Sequence, residues 1–478
     1  MKPTPLPHPF RLAVSRVAAL LLCAAGLGRP LSAEEFSVYV YGALGDGETV
    51  STKAIQKAID RAGEEGGGTV VFPSGTYLSG ALFLRDGVEL RLDEGVVLSA
   101  VRDEAAFPAV PSRVSGIEMA WPSALINALG VSRARVSGSG VIDGQGDFWW
   151  ARFEGLDGKG GLMADYRPRG LAWAADFDCG RVRTISAYNA TDFSVEGVTI
   201  LRPGSTAVNA TYSTQVAVRH VTIKANEGGL GSGTNGIVID SSSKVTVENC
   251  DIDCNADCIA LKSGRDAEGL RVNRPVEDVV VRDCVTRAGK GMFVIGSETS
   301  GGVRNVEVAN LRAIGTSHGL RFKSTRTRGG LVENIRIRGI VLENVPKPID
   351  FDLAWVSDTG VPVLPSGVSE ETIPAHWKAL LAKVEPAAKG IARFRRISIS
   401  GLRATGAEQA ILVNANKEKP LEELTMDDVR IDAGRAGKVK GGSLWSLRDV
   451  VFTLRESAAE VPYIGCYDVP QPQLQYRR

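Results

Sequence analysis

The chain has 478 residues, of which 56 are Lys or Arg and 55 are Asp or Glu, so its formal charge is +1. That balance argues against a nucleic-acid binder and against attraction to an acidic membrane surface. Glycine is abundant at 54 residues while aromatics make up 6%, a composition that suits turn-rich β structure better than a helical bundle.

Lys2, Arg11 and Arg16 supply a basic start, Val17 to Gly26 an apolar run, and Leu31-Ser32-Ala33 a cleavage site. Residues 1–33 therefore read as a secretory signal peptide, with an apolar run too short to span a bilayer as a helix. No later segment is apolar for long enough to do so. The remaining residues, 34–478, read as one exported domain, secreted or periplasmic, without stable membrane insertion.

Thr52 to Ala62 is the clear amphipathic helix, with Ala54, Ile55, Ala58, Ile59 and Ala62 on one face. Ser51 or Thr52 can cap it and Gly63 can end it. Such a helix would plug the open end of a solenoid, whose terminal rung exposes unpaired backbone.

Repetition follows. Phe193–Ile200, Val216–Ile223, Val245–Ile252, Val279–Thr286, Val306–Ala313 and Ile335–Leu342 each alternate apolar and polar residues, break at a polar kink, and resume; Ile397–Leu402 and Leu424–Ile431 close the series. Their intervals fall mostly from the low twenties to the mid thirties, the range of repeat arrays. Strand, bend, strand and loop, stacked in parallel, predict an all-β, single-stranded right-handed parallel β-helix with an N-terminal capping helix. A propeller would need four strands per blade, and a sandwich would need hairpin signals that are scarce here. Periodicity breaks over about residues 356–389, where Pro362, Pro365, Pro374 and Pro386 cluster; this reads as an insertion loop beside a groove.

Six cysteines lie beyond the signal: Cys179, Cys250, Cys254, Cys258, Cys284 and Cys466. Cys250-x3-Cys254-x3-Cys258 could suggest a metal site, yet no His is near and zinc favours tighter pairs. The preferred reading is small buried residues between coils, with no metal and an odd disulfide permitted by export.

Four short segments recur at one point of the repeat: Gly233-Thr-Asn-Gly236, Asn255-Ala-Asp-Cys258, Gly289-Lys-Gly291 and Arg321-Phe-Lys323. Together with Tyr41-Gly-Ala-Leu-Gly-Asp-Gly47, Gly66-Gly-Gly-Thr-Val-Val-Phe-Pro73, Gly75-Thr-Tyr77, Gly140-Val-Ile-Asp-Gly144, Trp149-Trp150, Ile259–Gly264 and Ile295–Arg304, they resemble glycoside hydrolase family 28, the polygalacturonases and related pectin hydrolases. The resemblance covers nearly the whole chain beyond the signal. It implies inverting hydrolysis of galacturonosyl-type bonds through an Asn-Thr-Asp motif, an Asp-Asp pair, a Gly-His-Gly and an Arg-x-Lys. Inversion needs a protonated carboxylic acid at the glycosidic oxygen and a carboxylate activating water across the ring.

The match is uneven. Asp257 stands at the second position of the Asp-Asp pair, but Ala256 occupies the first, which in the family is the general acid. Asn235 replaces the Asp of Asn-Thr-Asp, Val238 a neighbouring acidic residue, and Lys290 the His; Arg321 and Lys323 are intact. Alanine cannot donate a proton, and Asn cannot act as a base near neutral pH. The resemblance thus makes Asp257 the expected catalytic residue and Asn235, Lys290, Arg321 and Lys323 the expected substrate-binding residues. Asp240, Asp253 and Glu298 are substitute acids, against a structural reading in which they serve turns or pair with Lys262 and Arg304.

Three functions follow: a hydrolase with an altered acid–base set, a pectin-binding protein without catalysis, and a polysaccharide lyase using Lys290 to remove a C5 proton. The lyase reading ranks last, for want of an acidic cluster for calcium. The expected partner is an acidic pectic polysaccharide or oligosaccharide. No cofactor is expected, and the chain is expected to be a monomer.

Overall fold

A period-two strand that bends at one residue and resumes turns a corner instead of extending a flat sheet. The corner residues carry that burden here. Gly197, His220, Asn249, Asp283, Asn310, Gly339, Gly401 and Asp428 all have positive φ, from 53° to 80°, the left-handed region that Gly, Asn and Asp tolerate best. In the earlier coils the corner separates two strands, as in Ser243–Glu248 and Asp251–Asp253. In the later coils it lies inside one long strand, such as Val303–Ile314 or Leu331–Glu343. Asn310 donates to Asp283 (3.0 Å) and Asn305 to Asp278 (3.2 Å) on the preceding coil, so corners are tied along the axis.

The computed structural model describes residues 34–357 and 359–477; the expected signal peptide, 1–33, lies outside the described residues. Coils stack in parallel register into one right-handed parallel β-helix. One column shows what fixes the stacking. Ile126, Ile185, Val208, Ile237, Ile259, Phe293, Leu320, Ile349 and Ile411 pair one after another through the sheet, and all lie in the buried interior. Phe322 and Phe351 stack with centroids 4.3 Å apart. A one-residue slip would turn every such side chain outward, so burial of about 1.5–3 kcal/mol per residue specifies register as well as stability.

The helix spans Thr52–Glu64 and buries Ile55, Ala58, Ile59 and Ala62. Its expected cap is absent. The Ser51 hydroxyl bonds to Leu44, and Thr52 Oγ1 accepts from the Gly80 N–H, so both side chains fasten the helix to the coil and neither closes its first turn. Gly63 lies within the last turn. The six described cysteines are free thiols, five of them buried; Cys254 and Cys258 bring their sulfurs to 3.5 Å. Among the described residues no helix is long and apolar enough to cross a membrane.

Beside the coil stands a second, smaller core. An antiparallel hairpin, Ala109–Val114 with Ile117–Pro122, turns at Ser115-Gly116, both at positive φ, as a two-residue hairpin turn requires. Its Ile117 and Trp121 pack with Phe153, Met163, Trp173 and Phe177, and with Trp377 and Leu380 of helix Ala375–Leu381. Asp178 fastens these pieces: Tyr166 Oη (3.0 Å), His376 Nε2 (2.6 Å) and Trp377 Nε1 (2.9 Å) all bond to it.

Shortening a side chain in the inward column should cost what a rigid core implies. Ile259→Ala is expected to lower stability by about 2–5 kcal/mol, read as a lower guanidinium midpoint. A change near zero would contradict the close-packed column.

Candidate active site

Register in the inward column fixes what faces outward. On strands Asn235–Asp240, Asp257–Lys262 and His318–Lys323, outward residues line a cleft of about 460 Å³, and Lys290, Ser297 and Glu298, which flank strand Gly291–Ile295, line it too. Val238 lines the cleft and belongs to a small buried apolar cluster with Ala260 and Val294. The hairpin adds one wall through Arg113, Val114 and Trp121; Phe153 and Met163 add more, and Trp355 closes the far side.

Asp257 is the centre of the polar floor. Its carboxylate is 5% exposed and accepts a hydrogen bond from Lys323 Nζ at 2.9 Å. Burial alone would push this carboxyl up, but Lys323, Lys262 and Arg321 outweigh that effect and hold it below the usual range. Asp257 N–H donates to Asn235 Oδ1 (3.2 Å), so Asn235 places the backbone of Asp257 with the side-chain atom that an Asp would have used for chemistry. Burial pulls the Lys323 ammonium below its ordinary value, Arg321 and Lys262 add to this, and Asp257 opposes it.

Lys262 pairs with Glu298 at 3.1 Å. Burial pushes Glu298 up, yet Lys262, Arg328 and Arg265 more than offset it and leave the group well below the carboxylate range. Asp240 Oδ1 accepts from Arg113 (3.1 Å) and Ser241 (3.2 Å). Asp253 is not among the cleft-lining residues. Of the three substitute acids, then, Asp240 and Glu298 reach the cleft, each beside a cation. Arg304 pairs with Glu277, not with any of them.

Lys290 is exposed at the rim. Its N–H donates to the Ala256 carbonyl (2.7 Å), and His318 Nδ1 donates to its carbonyl (2.7 Å). Gly289 allows this approach: at φ +112° a Cβ would come 2.6 Å from the Ala256 carbonyl oxygen. The backbone of Lys290 is thus fastened beside Ala256, and the ion-pair partner of Asp257 is Lys323. Arg321 Nε is buried without a hydrogen-bond partner, 3.9 Å from Asp350 Oδ2. All five residues singled out in the sequence line this one cleft.

Sequence reasoning missed Arg113, Arg167, Arg181, Arg183 and Lys262, which line the cleft too. The usable signal was Arg181-x-Arg183, the same alternation as Arg321-x-Lys323. Among the described residues the lining holds eight Lys and Arg against five Asp and Glu. Three or more metal-ligating side chains are nowhere grouped to hold an ion among those residues.

A basic cleft laid across stacked coils, with buried carboxylates on its floor, suits a linear anionic polymer. That is the architecture of a polysaccharide-active β-helix. The profile of Glycosyl hydrolases family 28 matches residues 110–374, and that of "Rhamnogalacturonase A/epimerase, pectate lyase-like" matches 36–91. A probable polygalacturonase of Vitis vinifera is 31% identical over 66% of this chain and 62% of its own length. An endo-polygalacturonase of Pectobacterium carotovorum subsp. carotovorum is 27% identical over 82% of this chain and 87% of that one. The crystal structure of an exopolygalacturonase from Thermotoga maritima superposes with a TM-score of 0.70 at 25% identity, covering 87% of this chain and 92% of that one. The chain belongs to glycosyl hydrolases family 28, a family of glycosidases.

Removing one partner of a buried ion pair leaves the other uncompensated. Lys323→Met is expected to cost about 3 kcal/mol at pH 7. Because the folded value of Asp257 is depressed, its contribution is full above about pH 4 and is lost as pH falls through the lower folded value. The penalty should therefore shrink in acid and in the double variant Lys323→Met/Asp257→Asn. A penalty independent of pH in denaturant titrations would contradict the pairing.

Proposed function

We propose that the protein hydrolyses galacturonosyl bonds in acidic pectic polysaccharides or oligosaccharides, with Asp257 as the carboxylate that activates water. The observation carrying this reading is a buried aspartate kept ionised by Lys323, Lys262 and Arg321 at the floor of a basic cleft. Arg321 and Lys290 offer donors to a uronate carboxylate, Arg as a planar fork and Lys as a point charge. Binding the anion beside the reacting bond orients the sugar ring over Asp257, and orientation supplies a large part of the rate.

Position 256 carries a methyl where the family's general acid stands; Glu298 is held ionised by Lys262, Arg328 and Arg265, and Asp240 is paired with Arg113. The leaving oxygen thus has no proton donor at that position, and slow turnover follows. General acid catalysis is worth about 10²–10⁴-fold. The same methyl, with Asn235, favours a second reading: a pectin-binding protein that has lost hydrolysis. The partner polymer and exported location are common to both.

Reducing-sugar release from polygalacturonate separates the readings. Asp257→Asn should abolish release, whereas Ala256→Asp should raise it, by about tenfold or more if the new carboxyl donates its proton. The acid limb of kcat/KM should lie below about pH 4, the ordinary aspartate value, because Asp257 is held below it. Binding without release in the native protein would leave the second reading standing.

A further inference from the structure

The cleft's charges are matched unequally. Arg113 has Asp240, Arg181 has Asp176, Arg167 has Glu154, Lys262 has Glu298 and Lys323 has Asp257. Arg183 differs. Its guanidinium donates to Ser112 Oγ (2.8 Å) and to the Arg113 carbonyl (2.6 Å), both neutral, and among the described residues it forms no ion pair. Burial pushes it down only to about 10, with Asp240 opposing, so it is charged at neutral pH. A half-buried cation without a counter-ion, beside two other arginines, is costly unless an anion completes it.

Its position relative to Asp257 gives that anion a role. The N–H of Thr184 donates to the Thr206 carbonyl (3.0 Å), Thr206 pairs with Asn235, and Asn235 bonds to the backbone of Asp257. Arg183, Thr206, Asn235 and Asp257 thus follow one another along the floor over three inter-strand steps, about 14 Å at roughly 4.8 Å each. Arg321 lies two steps beyond the Asp257 strand in the opposite direction. Cations therefore flank Asp257 on both sides along the axis.

Ser112 Oγ and the Arg113 carbonyl hold Arg183 in place, and its two neighbouring arginines are themselves fixed. Arg181 donates to the Ser232 carbonyl (2.6 Å) and stacks over Phe153 at 4.2 Å. Arg113 lies 5.1 Å from the Tyr212 ring centre, with its Nε and Nη2 buried and unbonded. A planar guanidinium so fixed loses little entropy on meeting a carboxylate.

We infer that Arg183, supported by Arg113 and Arg181, binds a second uronate carboxylate on the side of Asp257 opposite Arg321. The inference rests on the pectic reading above and narrows it. The substrate is a chain carrying free carboxylates on both sides of the bond at Asp257, not one with a single acidic end.

The test is calorimetric titration of hexagalacturonate, its fully methyl-esterified form and monogalacturonate into the Asp257→Asn protein, with and without Arg183→Gln. Arg183→Gln should weaken hexagalacturonate about tenfold, the size of one lost charge-assisted hydrogen bond, while leaving the ester and the monomer unchanged. Arg183→Lys, which keeps the charge and loses the fork, should weaken it about threefold, and it serves alone should Arg183→Gln not fold. Equal hexagalacturonate affinity with and without the change at Arg183, or equal weakening of all three ligands, overturns the inference. Sugar release has no part in this readout. A protein that binds through Arg183 but cleaves nothing keeps the inference and loses the hydrolase reading.

Discussion

The site depends on one buried contact, Lys323 Nζ on Asp257 Oδ2 at 2.9 Å. Each charge alone would be costly in that position. Paired, and with Lys262 and Arg321 close by, the aspartate stays ionised in a place where burial favours neutrality. The two residues are 66 positions apart in sequence, and only stacked coils bring them together. Register in the hydrophobic interior and protonation state in the cleft are therefore one constraint seen from two sides of the same strands. Asp257–Lys262 and His318–Lys323 each send alternate side chains into the core and into the groove.

Charge in this chain is balanced globally and unbalanced locally. A formal net charge of +1 conceals a cleft in which cations outnumber carboxylates eight to five among the described residues. Most coil surfaces spend their charges on cross-coil pairs such as Arg287 with Asp251 and Arg312 with Glu343, which are exposed and contribute little individually. Inside the cleft the same residue types are shielded from water, so an excess of positive charge becomes a demand for an anionic ligand. Ala256 and Asn235 deepen this bias, since each puts a neutral side chain where the family carries an acid.

Much of the fold was legible because the repeat writes itself into the sequence. Val245-Thr-Val and Ile335-Arg-Ile announce inward and outward positions, and Gly197, Asn249 and Asp283 mark corners by their tolerance of positive φ. Asp257, Asn235, Lys290, Arg321 and Lys323 could be gathered in advance, because each falls at an equivalent point of its coil. What they do there was less legible: that Asn235 serves the backbone of Asp257, and that Lys323 takes Asp257, depends on distances that no pattern encodes. Of the arginine wall, only Arg181-x-Arg183 left a signal in the sequence. Arg113 reaches the cleft only because Ser115-Gly116 turns a hairpin over it, a two-residue signal lost among many glycine turns. Ser51 shows a local rule losing to tertiary contact, since its hydroxyl holds Leu44 and leaves the helix uncapped.

The central claim is that an anionic sugar chain lies along the groove with its reacting bond over Asp257. A crystal structure of the Asp257→Asn protein with trigalacturonate bound tests it most directly. The account predicts a uronate carboxylate within hydrogen-bond distance of Arg321 and a glycosidic oxygen above position 257, near the methyl of Ala256. A trisaccharide bound outside the cleft, or seated in it with its carboxylates turned to solvent, would contradict it.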